Sequence, residues 1–81
     1  MGSIIVINSS GSTVAAFVSK YSNSGGDDGW FNLAAGGRDS WGRNGWELVA
    51  FKDSNDTTRA GVYVKVDSTV TFYSFSNIVV S

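Results

Sequence analysis

The chain contains no histidine, no cysteine and no proline. Without His or Cys there is no Ser-His or Cys-His nucleophile pair, no His- or Cys-ligated zinc or haem, and no disulfide. Charge is sparse as well. Charged residues make up 16% of the 81, with six Lys and Arg against seven Asp and Glu, for a formal net charge of −1. That balance argues against a nucleic-acid binder working through a basic surface. No apolar run approaches the roughly 20 residues that span a bilayer. The apolar stretch at residues 4–7 is too short for the roughly 7–15 residues of a secretory signal, so the expected compartment is the cytoplasm.

What the chain does have is apolar and aromatic content, 42% and 14% respectively. This is the composition of a folded domain, and residues 1–81 allow only one. Apolar residues fall into short runs separated by Asn, Ser, Asp and Gly: residues 4–7, 13–21, 30–34, 46–52, 60–66, 70–75 and 78–80. In several of them the side chains alternate. Trp46, Leu48 and Ala50 stand in one phase and Glu47, Val49 and Phe51 in the other, which is the two-residue period of a strand. No stretch shows a period of 3.6. The predicted fold is all-β, a compact antiparallel β-sandwich or small barrel of about six to seven short strands. Residues around Val49 and at the C-terminal end are apolar in both phases. One small core cannot bury both, so a homo-oligomer is expected.

Residues 25–46 are the most distinctive segment. They hold Trp30, Trp41 and Trp46, all the tryptophans of the chain, together with seven of its ten glycines. An indole on a Gly-rich loop exposes costly apolar area, which a ligand repays. Sugar recognition uses such a set: an aromatic face for the ring C–H groups, with carboxylates, amides and guanidinium groups on the hydroxyls. Trp41, read here as a loop residue between Ser40 and Gly42, is the expected exposed platform. A loop indole that plugs the open end of a small sandwich is the competing role. Trp30 and Trp46 begin strands and fit core or ligand duty alike. Asp27, Asp28, Asp39, Arg43 and Asn44 are the candidate polar partners. Each has a plainer role: Asp27 and Asp28 as turn formers, Arg38 and Asp39 as a local ion pair, Asn44-Gly45 as a tight hairpin turn.

Catalysis and cofactors find little support. Glu47 is the sole glutamate, and no phosphate-binding loop, dinucleotide fingerprint or nucleophile elbow occurs. Asp53, Asn55 and Asp56 open like a calcium loop, but the Gly and bidentate Glu that such a loop requires are missing. No enzyme activity, cofactor or metal is expected.

The strings Phe17-Val18-Ser19-Lys20-Tyr21-Ser22, Asp28-Gly29-Trp30-Phe31, Arg59-Ala60-Gly61-Val62-Tyr63-Val64 and the run from Asp39-Ser40-Trp41-Gly42-Arg43 to Phe51-Lys52 resemble a family of small proteins from mushroom-forming fungi. In style the chain is also similar to small cytosolic fruiting-body lectins and to the longer, lipid-binding aegerolysins. The resemblance implies a lectin-like, oligomeric protein with a glycan ligand. It assigns no residue. The sequence reading is therefore a carbohydrate-binding module using Trp stacking. The alternatives are a binder of membrane lipid head groups and a self-assembling protein whose Trp cluster is its interface.

Overall fold

Glu47, Val49 and Phe51 are fully buried while Leu48, Ala50 and Lys52 are half-buried, so the alternation in sequence becomes a strand with one face on the core. The computed structural model describes residues 2–81, which form eight strands. They are β1 (Gly2–Asn8), β2 (Val14–Val18), β3 (Phe31–Leu33), β4 (Arg38–Arg43), β5 (Glu47–Lys52), β6 (Arg59–Val64), β7 (Thr69–Ser74) and β8 (Asn77–Val80). Among the described residues no helix is long and apolar enough to cross a membrane. Two four-stranded sheets result: sheet A in the order β4-β1-β7-β8 and sheet B in the order β3-β2-β5-β6.

The all-β architecture is thus the one the alternation predicts. Two details differ. There are eight strands, because Arg38–Arg43 forms β4 where the sequence reads as turn and loop. The pairing is antiparallel except for β1 with β7, which run parallel with Val6 opposite Val70. The chain also changes sheet between Arg43 and Glu47, so Asn44-Gly45 is a crossing between layers and not a hairpin turn.

The core lies between the layers. Ile4, Val6, Trp41, Val70 and Phe72 from sheet A meet Val14, Ala16, Val18, Leu33, Val49, Phe51 and Val64 from sheet B. Phe51 stacks on Phe72 across the middle at 4.6 Å between ring centroids. At one end Asn8 ties the layers together. Its fully buried amide donates to the carbonyls of Ser12, Leu33 and Ala34 and accepts from Ser10. Beside it the chain turns through Gly36, whose φ of 80° is the left-handed region that glycine enters without cost.

Candidate functional site

The opposite end of the sandwich is built around two charged residues that have no contact with bulk water. Arg43 is 1% exposed and Glu47 is 0% exposed, with Nε and Oε2 3.7 Å apart. The carboxylate accepts four hydrogen bonds: from Ser19 Oγ at 2.5 Å, Tyr21 N at 2.9 Å, Ser22 N at 2.8 Å and Ser22 Oγ at 2.5 Å. The guanidinium donates to the carbonyls of Ser19 (2.7 Å), Gly42 (2.7 Å), Val18 (3.1 Å) and Asp27. A Cβ at Gly26 would run into the guanidinium, so that loop position suits glycine. Together the pair fastens the long connection between β2 and β3 onto the end of the sandwich. Every acceptor site of Glu47 is engaged by the protein itself, which makes the pair a structural clasp.

Burial raises the pKa of Glu47, but the hydrogen bonds from Ser19 and Ser22 and the Tyr21 backbone outweigh it and hold the carboxyl below its usual value of 4.5. Asp53 is also held below its usual value, by the Thr57 hydroxyl and the Thr57 and Thr58 backbone N–H groups. Both groups have folded pKa values below their unfolded ones. Their stabilisation is complete above about pH 5 and is lost as pH falls through the folded values. The chain has no His, the side chain whose ordinary titration falls near neutral pH. Urea midpoints should therefore be flat from pH 7 to about 5 and fall steeply below about 4. A midpoint that already declines near pH 6 would contradict this assignment.

The sequence-predicted site residues separate in the structure. Trp41 is not a loop platform. It lies on the inner face of β4, opposite Ile4 of β1, is 5% exposed and meets Phe31 edge-to-face at 5.9 Å. It closes the sandwich between the edge strands β4 and β3, the plugging role weighed against the platform. Arg43 is likewise buried and unavailable to a ligand. Asp39 stands exposed on the same strand β4, and its carboxylate accepts from the Ser40 N–H at 2.8 Å in place of an ion pair with Arg38. Asp27 and Asp28 are exposed on the β2–β3 connection, where the Asp27 carbonyl serves Arg43. Asn44 is exposed beside Trp46 and bonds Ser22 through its backbone N–H and its side-chain amide.

Trp30 and Trp46 share a surface, the outer face of sheet B. Strand alternation directs Phe17, Leu48, Ala50, Lys52, Arg59 and Tyr63 to that face. Trp46 stacks on Tyr63 at 5.3 Å and 20°, and the two remain 51% and 63% exposed. Trp30 packs against Phe17 at 5.4 Å, with the Lys52 ammonium 4.6 Å and the Arg59 guanidinium 5.4 Å from its ring. Trp30 is 37% exposed and has two cations against its ring, so Trp46 and Tyr63 offer the more open ring surface. The floor between the two aromatic pairs is low: Ala50 faces Gly61, and neither raises a side chain of any size. Trp30 and Trp46 lie about two strand spacings (~10 Å) apart across the sheet and four residues (~13 Å) apart along it. An extended ligand could span both, whereas one small ring could not. Tyr63 was not among the sequence-predicted site residues. Its phase on β6, opposite to Val62 and Val64, is the signal that would have found it.

A cavity of about 350 Å³ lies away from this face, lined in part by Asp53, Ser54, Phe72, Tyr73 and Phe75. Part of its polar lining is committed internally: Asp53 to Thr57 and Thr58, Ser10 to Asn8, Ser74 to Ser76. The described residues contain no group of three or more acidic side chains placed to hold a metal ion. No protein-family model, curated protein or solved structure matches this chain.

Proposed function

We propose that the protein is a carbohydrate-binding module whose site is the outer face of sheet B, centred on Trp46 and Tyr63. The single observation that supports this most is the stacked, half-open pair of rings beside the low floor of Ala50 and Gly61. A flat C–H surface such as a pyranose ring can lie on these rings. The Trp46 indole N–H, the Tyr63 hydroxyl and the exposed Asn44 and Lys65 nearby supply hydrogen bonds at the rim. The site thus moves from the Gly-rich loop of the sequence reading to the sheet beside it, keeping Trp46, Trp30 and Asn44 and giving up Trp41 and Arg43.

The test is a glycan array probed with wild type, Trp46→Ala and Tyr63→Ala. Both side chains are exposed, so the variants should stay folded. Loss of either ring is expected to weaken binding by about 2 kcal/mol, roughly 30-fold in Kd. A blank array with wild type, or binding indifferent to both substitutions, would overturn the proposal.

A further inference from the structure

Each sheet of the sandwich has two open edges, and three of the four are guarded. β4 carries Arg38 and Asp39, β6 starts at Arg59 and runs into Lys65, and β3 is only three residues long. Charge and shortness are the usual means of keeping an edge from pairing with another chain. The fourth edge, β8, is Asn77-Ile78-Val79-Val80. It has no charge and no proline, and Val79 and Val80 are 44% and 45% exposed.

We propose that β8 is a self-pairing edge through which two copies of this chain join into one continuous eight-stranded sheet. The hydrogen-bond alternation on β8 dictates the register. Thr69 and Ser81 exchange both backbone bonds, at 2.8 and 2.9 Å. In an antiparallel ladder such pairs alternate with unbonded ones, so Val79 bonds Thr71, while Val80 opposite Val70 and Ile78 opposite Phe72 do not bond β7. The N–H and C=O groups of Ile78 and Val80 therefore point outward from the sheet. Two antiparallel β8 strands satisfy these groups with each other when Ile78 of one copy faces Val80 of the other. Four backbone hydrogen bonds form, and the two-fold axis passes between the two Val79 residues.

That register is self-complementary in side chains as well. Val79 meets Val79 on the outer face of sheet A. On the inner face Ile78 already packs against the core, and its partner there would be the half-exposed Val80 of the other copy. No charge opposes another across the seam. A second copy is the occupant that this edge fits, since one strand supplies matched donors, acceptors and apolar contacts to itself. A two-fold axis perpendicular to the sheet preserves its faces. Both sheets B then lie on the same side of the joined sheet A, and their outer faces look in one direction. On the carbohydrate reading above, the dimer would present two aromatic sites to one glycan-bearing surface.

Sedimentation velocity and amide hydrogen exchange over a concentration series test the pairing without any sugar. Wild type should move from the 8.6 kDa chain mass to twice that mass as concentration rises. The Ile78 and Val80 amides should exchange at least about tenfold more slowly in the dimer, while the other edges stay unchanged. Val80→Pro deletes an outward N–H without breaking the β7 ladder and should remain at the chain mass throughout. Should that variant misfold, Val79→Lys, at an exposed position, places two ammonium groups face to face across the axis and should also abolish dimers. Trp46→Ala should dimerise like wild type, which separates this proposal from the glycan site. A chain mass that never doubles, or dimers that persist in both β8 variants, would overturn it.

Discussion

Replacing Glu47 with Ala is expected to cost about 3–5 kcal/mol, a large share of the roughly 5–15 kcal/mol that keeps a small domain folded. The loss has two parts. Arg43 would remain in the interior at 1% exposure without its counter-charge. Four donors, Ser19 Oγ, Ser22 Oγ and the N–H groups of Tyr21 and Ser22, would lose their common acceptor. A buried donor left without a partner costs about 1–3 kcal/mol before any relaxation, so the exposed side of the connection would open to let water in. Arg43→Met is expected to cost less, because Glu47 keeps its four donors and two of the four orphaned carbonyls, those of Ser19 and Asp27, lie on the β2–β3 connection outside the strands.

The double variant Arg43→Met with Glu47→Leu discriminates between two origins of this stability. Apolar residues of similar volume often replace a buried ion pair at no cost. Here the carboxylate serves backbone N–H groups more than it serves the arginine, so the double variant should remain nearly as unstable as Glu47→Ala. Urea midpoints of the three variants at pH 7 decide it. A double variant restored to wild-type stability would mean that charge pairing, and not the capping of the β2–β3 connection, is what Glu47 contributes.

How much of this was written in the sequence differs from element to element. The alternation in residues 47–52 and 60–66 was strong enough to place β5 and β6, because each buries one face against a core of Val and Phe. β4 was hidden. β4 buries only Trp41 and Arg43, and in Arg38-Asp39-Ser40-Trp41-Gly42-Arg43 a single apolar residue stands among small and charged neighbours that resemble a loop. The clasp was half legible. Glu47 shares the phase of Val49 and Phe51, which points it inward, yet nothing local says that Ser19, Tyr21 and Ser22 will be there to receive it. Those donors lie 25 to 28 residues away and are brought in by the packing of β2 on β5. The candidate site shows the same division. Composition alone singles out Trp30 and Trp46, but their common face follows from β2 and β5 lying between β3 and β6. A single sequence does not display that strand order.

Trp41→Ala is the second substitution with a large expected effect, about 3–5 kcal/mol lost in urea unfolding. The indole fills the gap between the two edge strands, resting against Phe31 of the opposite sheet and standing opposite Ile4 on its own. Truncation would open a cavity at the rim of the sandwich and remove the edge-to-face contact, and β4 has few other apolar side chains with which to close it. Trp41→Phe keeps an aromatic ring against Phe31 and should lose clearly less. The pair also decides between the two roles of this residue. A ligand platform would make glycan binding fall in both variants while stability stayed near wild type. A core role makes stability fall with the volume removed, and Trp41→Phe, still folded, should bind sugar as wild type does because Trp46 and Tyr63 lie on the outer face of the other sheet. Trp41→Ala that unfolds at the wild-type urea concentration would show that the indole is not holding β4 against β3, and the platform role would have to be restored to it.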